Sequence, residues 1–125
     1  MLRPAQLVFP AIVLLAGCSL FGPTLCTTEA RPGIRVVVVD AVTNASITAG
    51  VLAAAHDGAF VDSLRGPFDS GAFSGVYERS GMYTVEVVHP HYQPWTLDGV
   101  RVRSGECHVN TVNLRAELVA TPYDG

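Results

Sequence analysis

Lysine is missing from this 125-residue chain, and its eight cations are all arginine. Against eleven acidic residues they leave a formal charge of −3 at neutral pH. No basic stripe is present, so neither a nucleic-acid backbone nor an anionic lipid surface finds an electrostatic footprint. The same absence excludes a phosphate-cradling G-x-x-x-x-G-K loop. No apolar run can cross a bilayer as a helix: Leu7 to Leu15 is broken by Pro10 and is too short. Beyond it, no stretch repeats its apolar residues with the helical period. Ser74, in Gly71-Ala72-Phe73-Ser74-Gly75, lacks the glycine two residues upstream that a nucleophile elbow uses. Catalytic motifs are therefore missing, and the chain is expected not to be an enzyme and to need no cofactor.

What is there begins at the N-terminus. Arg3 gives a thin positive region, Leu7 to Leu15 an apolar core, and Leu15-Ala16-Gly17-Cys18 closes it. That closing run reads as a lipobox, the mark of a bacterial secreted protein that is cut before the cysteine and acylated on its thiol and new amine. The alternative is an ordinary signal peptide in which Cys18 is incidental. Residues 1–17 are thus expected to leave as a signal peptide, with Cys18 the lipidation site. One acyl chain holds a protein to a membrane marginally and two or three hold it firmly. Ser19 carries no acidic retention signal, so the expected location in a two-membrane cell is the outer membrane, facing the periplasm or the surface.

With Cys18 acylated, two cysteines remain in an exported chain, Cys26 and Cys107. An even remainder in an oxidising compartment reads as one disulfide, the alternative being two buried free thiols. Residues 18–33 have the composition of a tether, with Phe21-Gly22-Pro23 and Arg31-Pro32-Gly33 and no periodicity. From there the chain is β-like. Ile34 to Val39 is β-branched; Ile47 to Ala55 is weaker and closed by the hairpin signal His56-Asp57-Gly58; Ala59 to Leu64 and Ala72 to Glu78 follow. Tyr83, Val85 and Val87 alternate with Thr84 and Glu86, a half-buried strand ended by His89-Pro90. Trp95 to Arg103 and Cys107 to Leu118 complete seven strands. Cys107 and Val109 have the opposite parity to Val112, Leu114, Ala116 and Leu118, so a bulge or change of face is expected near Asn110. The fold class expected is all-β, a sandwich over 34–118 with a short tail at 119–125.

These residues resemble a known family. The order is "VVVVDAVTNASI" (36–47), Gly81-Met82-Tyr83-Thr84-Val85-Glu86-Val87, "HYQPW" (91–95) and a closing "VNTVNLRAEL" (109–118). It is similar to the carboxypeptidase regulatory-like domains, which share a seven-stranded Greek-key sandwich of transthyretin-like (prealbumin-like) type. His91-Tyr92 stands where that family usually has Gly-Tyr, and Asn44-Ala45 replaces its Thr-Gly turn. The resemblance implies that first and last strands lie side by side and parallel, which gives the Cys26–Cys107 bond a geometry. A purine-degrading hydrolase of similar fold closes with Tyr-Arg-Gly-Ser, whereas this chain ends Thr121-Pro122-Tyr123-Asp124-Gly125. Fold alone carries no activity.

Candidate binding residues are few. Tyr92 and Trp95 are expected in a proline-bounded loop, with Phe68 in a loop at the same end of the sandwich, where aromatics can stack on a glycan or grip an envelope protein. The resemblance gives Tyr92 a competing role packed over the core. His89 and His91, two apart, offer two imidazoles to a metal, while His56, Asp57 and His108 are expected at the other end, where strand parity allows those three to approach one another; the two groups should not converge, so no closed site and no metal ligand are assigned. Glu78 and Arg79, beside a turn, read as solvated surface. Function is expected to be a membrane-anchored module with a structural or binding role, the alternatives being a carbohydrate- or peptidoglycan-binding module or a metal-handling lipoprotein.

Overall fold

A computed structural model of the chain describes residues 25–122. The signal segment 1–17, Cys18 with the first part of the tether, and the last three residues of the tail lie outside that range. Seven strands form in order: β1 (Ile34–Asp40), β2 (Leu52–Asp57), β3 (Phe60–Leu64), β4 (Ala72–Gly75), β5 (Gly81–His89), β6 (Tyr92–Val102) and β7 (Val112–Leu118). They make a three-stranded sheet, β4-β1-β7, and a four-stranded sheet, β3-β2-β5-β6. The described chain is all-β and sandwich-like.

Valine dominates the space between the sheets, because β-branched side chains fit a pleated surface buried on one face. Val36 and Val38 of β1, Val85 and Val87 of β5, and Val102 of β6 share one cluster with Tyr83, Ala116 and Leu118. β5 alternates as expected: Tyr83, Val85 and Val87 are buried and their neighbours are not. β1 lies parallel to β7, with Ile34 opposite Val112 and Asp40 opposite Leu118. Every other strand pair is antiparallel. Open sheet edges invite pairing with other chains; here isolated bridges close the sides, Arg65 with Ser74 on one and Tyr92 with Ala120 on the other.

Several strand limits differ from the expectation, each for a local reason. The Ile47–Ala55 segment splits, because Gly50 adopts φ 78; Ile47 stays in the core after a lone bridge at Ser46, and β2 starts only at Leu52. β4 stops at Gly75 because Val76 turns left-handed at φ 56, its N–H donating to Asp62 Oδ2 at 2.7 Å. A β-branched residue seldom adopts that conformation. β6 begins earlier than expected, at Tyr92, and shifts register against β5 twice. One shift accommodates Pro94, which has no N–H for the ladder, and the other falls where Gly99 takes φ 69. The parity change near Asn110 is not a bulge within one strand: β7 starts at Val112, and Cys107 and Val109 belong to the preceding loop. Val109 packs into the core from that loop and bridges to Ser104.

Candidate functional site

Strand directions give the sandwich two ends. β1 and β7 both begin at the end that holds the disulfide, Cys26–Cys107, whose Cα atoms are 5.1 Å apart. The far end gathers the turn after β1, the loop between β3 and β4, and the start of β6.

Asp40 organises the far end. Its Oδ1 accepts the N–H groups of Val42 (2.8 Å) and Thr43 (2.9 Å), and its Oδ2 accepts the Tyr92 hydroxyl at 2.8 Å. The Thr43 N–H above all, then the Tyr92 hydroxyl, holds the Asp40 carboxyl below its ordinary value. The same bond pushes the Tyr92 phenol up. Tyr92 and Trp95 therefore do not stand in a loop. Both lie on β6 and pack against the core, as a tyrosine with a fixed hydroxyl partner and a large indole next to a valine-lined interior do. Of the three expected binding aromatics only Phe68 is in a loop, 51% exposed, between β3 and β4. Val42, Leu52 and Val119 are exposed at the same end.

His89 and His91 do not offer two free imidazoles. The His91 N–H donates to His89 Nδ1 at 3.0 Å, which leaves the proton on Nε2 for the Ala49 carbonyl, also at 3.0 Å. His89 further stacks edge-on against Tyr92. His56 faces Glu86, Asp57 meets Arg79 and His108 meets Glu78, so the three do not converge. Among the described residues no three of His, Cys, Asp or Glu gather as a metal site.

At the disulfide end Glu78 and Arg79 are solvent-accessible as expected, and both are also tied into hydrogen bonds. Glu78 Oε1 accepts the Arg31 N–H at 2.8 Å and lies 2.6 Å from His108 Nδ1, while Oε2 accepts the Val109 N–H at 3.2 Å. The Arg31 N–H chiefly, with His108 and the Val109 N–H adding to it, holds this carboxyl below its ordinary value. On its other nitrogen, Nε2, His108 lies 2.9 Å from the Thr27 hydroxyl. Next along the chain, Arg79 sits 3.7 Å over the Phe60 ring and donates to Asp57 and to the Tyr83 hydroxyl. Tyr83 in turn donates to the Arg79 carbonyl at 2.8 Å. The sequence carried one partial signal, the expected Cys26–Cys107 bond, which places Thr27 beside His108; nothing in it marked Glu78, which adopts φ 53 in the turn after β4.

No protein-family model matches the chain, and no curated protein is found to match it.

Proposed function

We propose that this protein is a bacterial envelope lipoprotein, anchored by acyl chains on Cys18, whose sandwich serves as a structural or binding module held at the membrane. One observation carries this reading. The disulfide consumes Cys26 and Cys107, so Cys18, placed directly after an apolar run and Ala16-Gly17, is the remaining thiol. The prealbumin-like, carboxypeptidase regulatory-like form of the sandwich is part of the proposal. It is supported by the parallel β1–β7 pair and by Asp40 at the end of the first strand bonding Tyr92.

The bond at Cys26 limits the tether. Seven residues, Ser19 to Leu25, separate it from Cys18, and seven residues reach about 25 Å at full extension. The disulfide end then faces the bilayer. The far end points away, and loops on a rigid sandwich are the usual place for partner contacts. Phe68, exposed there with Val42 and Leu52, favours a protein or glycan partner in the envelope over a role confined to spacing.

Photo-cross-linkers at Phe68 and Gln93, with Ser80 as the control near the disulfide end, test this in intact cells. Capture at the first two and not at Ser80 is the expected outcome. Equal capture at all three positions contradicts the orientation and the binding role together.

A further inference from the structure

Three side chains at the disulfide end stand in the order of an acyl-transfer relay. The Thr27 hydroxyl lies 2.9 Å from His108 Nε2, and His108 Nδ1 lies 2.6 Å from Glu78 Oε1. Glu78 cannot donate to Nδ1 as a carboxylate, so Nδ1 carries the ring proton and Nε2 is left to accept from Thr27. That is the tautomer a general base needs. Glu78 is itself held by two backbone N–H groups, those of Arg31 and Val109. The His108 side chain is 12% exposed, so the ring is shielded, while Thr27 is open to solvent. The disulfide joins the two residues that immediately precede Thr27 and His108, which fixes hydroxyl and imidazole against each other. An open hollow of about 340 Å³ adjoins them, lined in part by Leu25, Arg31 and Asn110.

We propose that Thr27, His108 and Glu78 form a hydrolytic site for small carboxylic esters, an activity beyond the anchored module described above. Thr27 Oγ attacks the ester carbonyl carbon as its proton passes to His108 Nε2, and the carbonyl electron pair moves onto oxygen. Collapse of that tetrahedral species expels the alkoxide, which takes the proton from His108 and leaves as the alcohol. Water then attacks the acyl-threonine, giving its proton to Nε2. A second collapse releases the acid, and Thr27 Oγ recovers the proton. Glu78 does not touch the substrate; it is the positioning residue that holds the imidazole tautomer and offsets its charge. The methyl group on a threonine nucleophile crowds the attacked carbon, which favours small acyl groups with good leaving groups, esters rather than amides. Arg31 and Asn110 line the same hollow, and their side chains are the donors assigned to the developing oxyanion.

The test uses the full chain in detergent, oxidised, with p-nitrophenyl acetate as the probe. Wild type should turn over about 100-fold faster than Thr27→Ala, the scale of a positioned general base. Thr27→Ser should retain or exceed the wild-type rate, and Glu78→Gln should lower the rate and displace the pH–rate profile. Peptide mapping of the wild type after brief exposure should find an acetyl group on Thr27, a result that needs no variant to fold. Acetyl on His108 alone, no acetyl at all, or a wild-type rate no higher than that of a folded Thr27→Ala protein overturns the proposal. None of these outcomes bears on membrane anchoring or on capture at Phe68, so the two readings stand or fall separately.

Discussion

Replacing both Cys26 and Cys107 with alanine should destabilise the domain through the unfolded chain more than through the folded one. The bond ties residues 81 positions apart. In the chain-entropy account a loop of that length restricts the unfolded ensemble by about 15 cal/mol/K, or about 4.5 kcal/mol at 25 °C. Native contacts of the arm survive the change. The Arg31 N–H still meets Glu78, the Thr111 hydroxyl still donates to the Pro32 carbonyl at 2.7 Å, and the Gly33 N–H still bonds the Gly75 carbonyl at 3.1 Å. Neither cysteine lies in a strand, so the pairing of both sheets is untouched by the replacement. For a domain near 100 residues, each kcal/mol moves the melting temperature by about 4–8 °C, so the expected fall is about 20–35 °C. Calorimetry of wild type and double variant reads this directly. The denaturant dependence should also steepen, since an uncrosslinked chain exposes more surface on unfolding. A fall under about 5 °C, with the wild-type bond verified as oxidised by mass mapping, would refute the reasoning.

Two further outcomes follow from the core and the carboxylates. Val85 is fully buried at the centre of β5, and Val85→Ala, which removes two methyl groups, should cost about 2 kcal/mol in urea unfolding; a loss below about 0.5 kcal/mol would mean that the sheets are not packed there. Asp40 and Glu78 both sit below their ordinary carboxyl values, so their contribution is complete above the ordinary carboxylate range and is lost as pH falls through the lower folded values. Melting temperature should therefore drop steeply under acid, and less steeply in Asp40→Asn and Glu78→Gln; parallel acid slopes in all three proteins would contradict the bonding described.

The β character of the chain was legible because its cause is local. Alternation at Tyr83, Val85 and Val87, the β-branched run of β1 and the Asp57-Gly58 turn each state their structure within a few residues. The cysteine pair was legible by count. Strand ends were less so, because Val76 at φ 56 is held by Asp62 of β3, fourteen residues earlier, and nothing in a valine announces a left-handed turn. Tyr92 and Trp95 were misplaced for a related reason: Pro94 suggests a loop, yet a register shift lets the strand continue past it. The cluster at the disulfide end was legible only in part. Thr27 lies 81 positions from His108, yet the expected Cys26–Cys107 bond brings them together; Glu78, 30 positions from His108, has no such link and reaches them because β4 pairs with β1. Such constellations are recognised by geometry and not by sequence position.

The anchor on Cys18 is the claim on which the orientation and the cellular role depend. Metabolic labelling of cells with a clickable fatty acid, comparing the natural chain with Cys18→Ala, measures it directly. Label should appear on the natural protein, with a mass corresponding to an acylated N-terminal cysteine after loss of residues 1–17, and be absent from the variant, which should accumulate as uncleaved precursor. Equal labelling of the two chains, or an unmodified Cys18 in protein recovered from the envelope, would contradict it.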